Sequence, residues 1–461
     1  MTAAVDASLF KAYDIRGIVD RTLTTEAVRE IGAALGTQAL ALGQREIVVG
    51  RDGRLSGPQL RDALVEGIRS TGIGVIDIGM VATPVLYLST HLLGTGSGVE
   101  ITGSHNPPEY NGLKMVLGGA TLHGEAIQKL RQIVEEGAAP RAAAAGVLRT
   151  ADVRDAYLRR IADDVKLARP MKIAVDCGNG VAGAFAPALY RMLGCEVTEL
   201  FCDVDGTFPN HHPDPAHPEN LQDLVRALRE TDAEIGLAFD GDGDRLGVVT
   251  KDGNIVYPDR QMMLFARGVL QGNPGAEIIF DVKCSRHLAR EIAAHGGRPT
   301  MWRTGHSLIK AKLKESGAPL AGEMSGHIFF NDRWPGFDDG MYAGARLLEL
   351  LSHASDPSAV LNALPDAVST PELHLKTAEG ENFALVERLQ REASFTGARE
   401  VIKIDGVRVE YADGFGLARP SNTTPVLVLR FEADDAAALA RIQTDFRRAL
   451  LAIKPDAKLP F

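Results

Sequence analysis

The segments Ile47-Val-Val-Gly-Arg-Asp-Gly-Arg54, Ile173-Ala-Val-Asp-Cys-Gly-Asn-Gly180 and Ile278-Ile-Phe-Asp-Val-Lys-Cys-Ser285 share one pattern. Each is a short apolar run that breaks into a polar, often Gly-containing turn, which reads as a strand buried on both faces. A second set recurs further along each third of the chain: Gly98-Val-Glu-Ile-Thr-Gly-Ser-His105, Ile235-Gly-Leu-Ala-Phe-Asp-Gly-Asp242 and Leu320-Ala-Gly-Glu-Met-Ser-Gly-His327. Helical patterns alternate with these strands. Leu221 to Glu230 places Leu221, Leu224, Val225 and Leu228 on one face, and Ala126 to Val134 does the same with Ile127, Leu130, Ile133 and Val134. The alternation predicts an α/β fold with mixed, largely parallel sheets. Two polar loops per third predict three tandem, related α/β domains.

Composition shifts mark the boundaries. Gly137-Ala-Ala-Pro-Arg-Ala-Ala-Ala-Ala-Gly146 reads as a linker, and Thr250-Lys-Asp-Gly-Asn254 as a hairpin turn. Ser352 to Pro371, with three prolines, reads as a third boundary. The last stretch alternates differently. Val407-Arg-Val-Glu-Tyr411 and Val426-Leu-Val-Leu-Arg-Phe431 precede a helix, which predicts a smaller C-terminal α+β domain with an antiparallel sheet. The expected domains are residues 1–150, 151–254, 255–367 and 368–461.

Lys and Arg number 50 against 60 Asp and Glu, a net charge of −10, which disfavours a nucleic-acid coat. Four cysteines, Cys177, Cys195, Cys202 and Cys284, form no C-x-x-C pair and suit a reducing compartment. No run approaches the ~18 apolar residues of a membrane span, and the start lacks a secretory signal. A cytoplasmic protein without membrane or nucleic-acid partners is expected. Glycine is abundant, 48 of 461 residues, and points to many tight loops.

Four loops carry chemistry. In Asp240-Gly-Asp-Gly-Asp-Arg245, three carboxylates at spacing two follow a strand and can converge on one cation. An EF-hand would need Gly where Arg245 stands and Glu where Lys251 stands. Three hard oxygens that leave room for water or phosphate suit Mg²⁺. In Thr102-Gly-Ser-His-Asn-Pro107, Ser104 is either a nucleophile activated by His105 or a carrier of a phosphoryl group. A hydrolase triad fits poorly, since no G-x-S-x-G elbow is present. Gly322-Glu-Met-Ser-Gly-His327 places Glu323 and Ser325 on one side of an extended segment, suited to sugar hydroxyls. Arg419-Pro-Ser-Asn-Thr-Thr-Pro425 is rich in donors and fits a phosphate dianion. Tyr13 and Arg16, in Lys11-Ala-Tyr-Asp-Ile-Arg-Gly17, add donors, whereas Lys283 and His306 are not decided by spacing alone. The run Asn210-His-His-Pro-Asp-Pro-Ala-His217, with two prolines and no helical spacing, reads as a rigid loop and not a metal site.

These loops, in this order, resemble the α-D-phosphohexomutase family, and within it the bacterial phosphomannomutase/phosphoglucomutase branch. The likeness runs from Lys11 to Thr423, with no departure at a motif position. It implies four domains around a central cleft, a phosphoserine at Ser104, and Mg²⁺ on Asp240, Asp242, Asp244 and the Ser104 phosphate. It further implies that His105, Arg245 and Lys114 assist phosphoryl transfer, with Lys114 as acid/base. Glu323 and Ser325 would hold the sugar, and Arg419, Ser421, Asn422 and Thr423 its phosphate. Tyr13, Arg16, Lys283, His306 and His327 match further cleft positions. The implied activity interconverts hexose 1-phosphate and hexose 6-phosphate through a hexose 1,6-bisphosphate, in a monomeric enzyme. Two neighbouring readings are a phosphoglucosamine mutase, whose sugar loop would carry Gln where Met324 stands, and a metal-dependent sugar-phosphate phosphatase.

Overall fold

The computed structural model describes residues 5–422 and 424–461. Its first three sheets repeat one plan. The first-quoted segment of each third forms a central strand, Glu46–Arg51, Lys172–Asp176 or Glu277–Asp281. Parallel strands flank each of these: Gly74–Met80 and Gly98–Ile101, Glu196–Leu200 and Ile235–Phe239, Arg298–Trp302 and Leu320–Gly322. The chain then doubles back into an antiparallel strand, Tyr110–Leu117, Leu246–Thr250 or Ile328–Phe330. The reversals span 102–109, 240–245 and 323–327, three of the four loops singled out from sequence. They lie beyond the carboxyl ends of the parallel strands, where α/β sheets collect ligands.

The central strands are apolar on both sides because helices cover both faces. Gln222–Glu230 buries Leu224, Val225 and Leu228, and Glu125–Glu136 buries Ile127, Leu130 and Val134, as their periodicity predicts. The Gly137–Gly146 stretch contains no helix or strand, and Gly137 ends the preceding helix in a left-handed conformation. The turn at 250–254 joins an antiparallel pair, with Thr250 N–H donating to Asn254 O at 2.9 Å.

The fourth sheet is antiparallel throughout, in the order Val368–Ser369, Val426–Ala433, Gly414–Pro420, Val407–Glu410, Glu400–Ile402. Helices Glu381–Glu392 and Ala436–Ile453 cover one face. The fourth loop is the hairpin turn between Gly414–Pro420 and Val426–Ala433, so Arg419 stands on a strand and not on the turn.

One apolar core runs through the second and third sheets and reaches the first through Val85, Leu86 and Tyr87. The fourth unit has its own core around Phe431 and Phe446. The expected boundary at Ser352 to Pro371 is not one loose linker. Pro357–Asn362 is a helix, with Ser358 Oγ accepting from Lys251 N–H at 2.8 Å and Arg260 donating to Leu364 O at 3.0 Å. Residues 365–367 and 370–372 connect that packed helix to the fourth sheet through the short strand Val368–Ser369. No helix among the described residues is long and apolar enough to cross a membrane.

Candidate active site

Ser104 sits at φ +47°, a left-handed conformation unusual for a non-glycine residue and costly unless its surroundings enforce it. Its N–H donates to Thr102 Oγ1 at 2.8 Å, and its hydroxyl donates to Asp240 Oδ2 at 2.9 Å. The Ser104 hydroxyl also lies 3.3 Å from His105 Nδ1. Burial, with Arg245, Arg16 and Lys114 nearby, lowers the His105 pKa well below the usual range and keeps the ring neutral.

Asp240, Asp242 and Asp244 are fully buried, with carboxylate oxygens within 4.8 Å of one another. Gly243, at φ +76°, lets the loop close, and Asp240 Oδ1 accepts from the Gly243 and Arg245 N–H groups at 3.0 and 3.2 Å. Lys114 Nζ donates to Asp242 Oδ2 at 2.7 Å and to Asp244 Oδ2. Burial opposes its charge, but the three aspartates outweigh that and hold its pKa high. Asp242 Oδ1 has no hydrogen-bond partner among the described residues. A compact set of buried hard oxygens with an orphaned lone pair fits a divalent cation such as Mg²⁺.

The metal-type loop and the third-sheet loop meet directly. Arg245 and His327 form an antiparallel bridge, and Leu246 N–H donates to Gly326 O at 3.2 Å. Residues 323–326 turn and do not run extended, because Gly326 N–H closes on Glu323 O at 3.1 Å. Ser325 Oγ lies 2.9 Å from His327 Nδ1, and Glu323 Oε1 accepts from Gly305 N–H at 2.5 Å. Burial pushes the Glu323 carboxyl up to about 7, although His327 works in the opposite direction. His306 opens the helix His306–Ser316 and stacks on His327, with ring centroids 5.6 Å apart.

Ser104, His105, Lys114, Arg245, His306, Glu323, Ser325 and His327 line one cleft of about 1180 Å³, together with Tyr13, Arg16, Lys283, Arg419, Ser421 and Asn422. The three aspartates are buried behind that wall, bonded to Ser104 and Lys114. The Tyr13 hydroxyl donates to Thr304 O at 2.8 Å and accepts from Asn422 Nδ2, joining the first, third and fourth units. Arg419 pairs with Asp405 at 3.0 Å and Lys283 with Glu372 at 2.6 Å. Arg16 pairs with Asp14, while its Nη1 has no partner among the described residues. Ser421 Oγ lies 3.0 Å from Thr424 Oγ1. Thr423 lies outside the described residues.

Residues 7–141, 155–253 and 257–368 match alpha/beta/alpha domains I, II and III of phosphoglucomutase/phosphomannomutase, and 372–449 match its C-terminal domain. The chain belongs to the phosphoglucomutase/phosphomannomutase family. It is 60% identical over 449 residues to a phosphoglucomutase of Neisseria meningitidis, covering 97% of this chain and 98% of that protein. A phosphomannomutase/phosphoglucomutase of Pseudomonas aeruginosa is 55% identical over 456 residues, covering 99% and 98%. The crystal structure of a phosphoglucomutase/phosphomannomutase family protein from Burkholderia thailandensis superposes with a TM-score of 0.95 at 60% identity, covering 99% of this chain and all of that one.

In this family member, sequence reasoning missed several groups that shape the cleft. Arg54 ends the first quoted segment. It is 1% exposed and donates to Ser104 O, Asn106 O, Pro107 O and Tyr110 O at 2.6–2.9 Å, with Asp52 at 3.3 Å. One guanidinium thereby moulds the whole serine loop, and a Cβ at Gly103 would lie 2.3 Å from it. The Asn210–His217 loop is irregular, as expected, yet it also reaches the cleft. Asp214 lies 3.9 Å from Arg245, and His211 holds Asp176 at 3.1 Å. Asp338, carrying Lys310 at 2.8 Å, lies 3.5 Å from His306. Glu100, opposite Lys114 on the neighbouring strand, is fully buried with neither oxygen bonded among the described residues. Burial, with Asp52 and Asp242 nearby, raises its pKa well above the usual range.

Arg54→Met strands Asp52 as a buried, unpaired charge, so unfolding free energy should fall by about 3–5 kcal/mol. A denaturant midpoint that does not move would refute the clamp. Glu323 binds its proton more tightly folded than unfolded, so its contribution to stability declines as pH rises from about 4.3 to about 7. Glu323→Gln should flatten that decline in metal-free denaturation curves, leaving the part due to the other carboxyls that burial raises, among them Asp339, pushed up to about 7, Glu100 and Asp240. An unchanged slope would show that Glu323 titrates normally.

Proposed function

We propose that the cleft interconverts hexose 1-phosphate and hexose 6-phosphate, of mannose, glucose or both, through a phosphoserine at position 104. The observation that carries this reading is the buried Ser104 hydroxyl, bonded to Asp240 at 2.9 Å in the same cleft as the donor-rich Arg419–Asn422 segment. A reacting serine faces a separate anion site, which is what a transfer to either end of one sugar requires. Phosphoserine 104 passes its phosphoryl group to the free hydroxyl of a hexose 1-phosphate, giving a 1,6-bisphosphate. The intermediate turns around, and its other phosphate returns to Ser104.

Held by Asp240, Asp242, Asp244 and the serine phosphate, Mg²⁺ would supply positive charge against the transferring group. The chain's own residues do the rest by positioning and electrostatics. Arg245 adds a guanidinium at 3.8 Å from Asp240. Lys114 brings a proton toward the departing oxygen, and neutral His105 orients the serine. Glu323, Ser325 and His327 bind sugar hydroxyls, with His306 beside them. Arg419, Ser421, Asn422 and Thr423 receive whichever phosphate is not reacting, and Tyr13, Arg16 and Lys283 complete the wall. Met324 in the sugar loop favours mannose or glucose over glucosamine phosphate. The domain boundaries in this reading are 150/151, 254/255 and 367/368. Four free thiols suit a reducing compartment, and the protein is read as a cytoplasmic monomer.

Ser104→Ala should lower turnover of glucose 1-phosphate and mannose 1-phosphate by on the order of 10³-fold or more with the fold intact. Undiminished turnover would end the mechanism. Steady release of inorganic phosphate would point to a phosphatase instead. Turning the intermediate requires the cleft to loosen, and in this reading the fourth unit rotates about the 352–371 connection, where residues 365–367 and 370–372 lie outside helix and strand. Scattering should then show a more compact particle with bisphosphate bound. Identical profiles with and without ligand would exclude that motion.

A further inference from the structure

Lys283 stands on the turn between the strand Glu277–Asp281 and the helix Arg286–Ala294. The backbone of that turn is held from the fourth unit. Arg408 Nη1 donates to Val282 O at 2.6 Å and to Cys284 O at 2.7 Å, and Arg430 Nη1 donates to Lys283 O. Three successive carbonyls accept from two guanidiniums of a different domain. Both arginines are buried, at 1% and 4% exposure. The Arg408 guanidinium lies 3.6 Å from the centre of the Phe415 ring, with its Nε on Glu410 at 2.7 Å. Arg430 pairs with Asp259 at 3.2 Å.

Burying two guanidiniums costs solvation that an apolar joint would avoid. What they add is direction, because a planar fork aimed at fixed carbonyls sets both the place and the tilt of the turn. Arg419 stands on Gly414–Pro420, the strand between the two that carry Arg408 and Arg430, eleven residues from each arginine. We propose that Arg408 and Arg430 are positioning residues for Lys283. Docking of the fourth domain orients the lysine in the same act that brings the Arg419–Asn422 phosphate site into the cleft. Lys283 and the phosphate site are then assembled together or not at all. This rests on the reading of Lys283 as a substrate-contacting residue.

The test is a double-mutant cycle on kcat/KM with Lys283→Met and Arg408→Lys, repeated with Arg430→Lys, with melting temperatures confirming folded variants. Lys283→Met alone should lose about 10-fold or more, and Arg408→Lys alone about 10-fold. In the Lys283→Met background, Arg408→Lys should cost less than about 2-fold, since residues acting through one another do not add. Losses that multiply would make the arginines merely structural and overturn the proposal while leaving the role of Lys283 intact. Full activity in Lys283→Met would instead overturn the reading of Lys283 itself. If Arg408→Lys does not fold, the Arg430→Lys cycle decides by the same comparison.

Discussion

Three buried carboxylates cannot share a site within 4.8 Å unless something positive meets them. The rest of the architecture follows from how that charge is balanced. Asp240, Asp242 and Asp244 come from the second domain, but Lys114 comes from the first, and His327, 3.4 Å from Asp244, from the third. Arg245 closes the ring from the loop itself. Because three domains each contribute to one electrostatic centre, their relative placement is constrained to within hydrogen-bond distances there. The continuous apolar core through the second and third sheets then makes that placement rigid. Lys114 sits between Asp242 and Asp244 as a resident cation and holds both below the usual carboxylate range, whereas burial beside those two charges raises Asp240.

The repeated sheet plan explains why three different loops arrive at one place. Each leaves a parallel strand at its carboxyl end and reverses into an antiparallel neighbour, so each domain presents its reactive turn from an equivalent corner. The sequences of these turns share little beyond glycine. What they share is position. The fourth domain obeys another rule, offering a hairpin turn from an antiparallel sheet; it has its own core, and it docks on the third domain through Phe415 and Leu417 against Val282 and through Arg408 and Arg430.

The strand-and-turn pattern, the helical stripes on Gln222–Glu230 and Glu125–Glu136, and the antiparallel character of the last unit were all legible without coordinates, because burial on one face or two leaves a periodic signature. Other features left no such trace. The turn at 323–326 looked extended because Gly322, Gly326 and the residues between them fit either conformation, and only the bond from Gly326 to Glu323 decides. The helix Pro357–Asn362 was hidden in a proline-rich stretch because its proline occupies the first turn, where helices accept it. Arg54 read as the end of a turn, since a single arginine on a loop has no period to betray its four carbonyl partners.

By itself, the chain's sequence determined the chemistry available: three aspartates at spacing two, a serine on a tight loop, a donor-rich loop, and glycines where backbones must approach closely. Those are properties of neighbouring residues, and local spacing records them. Only the tertiary structure decided which charges meet. Lys114 reaches Asp242 across 128 residues of chain, and Arg54 reaches Ser104 across 50. Such partners are selected by how domains pack. Packing depends on the summed shape of many apolar surfaces, which no single motif encodes.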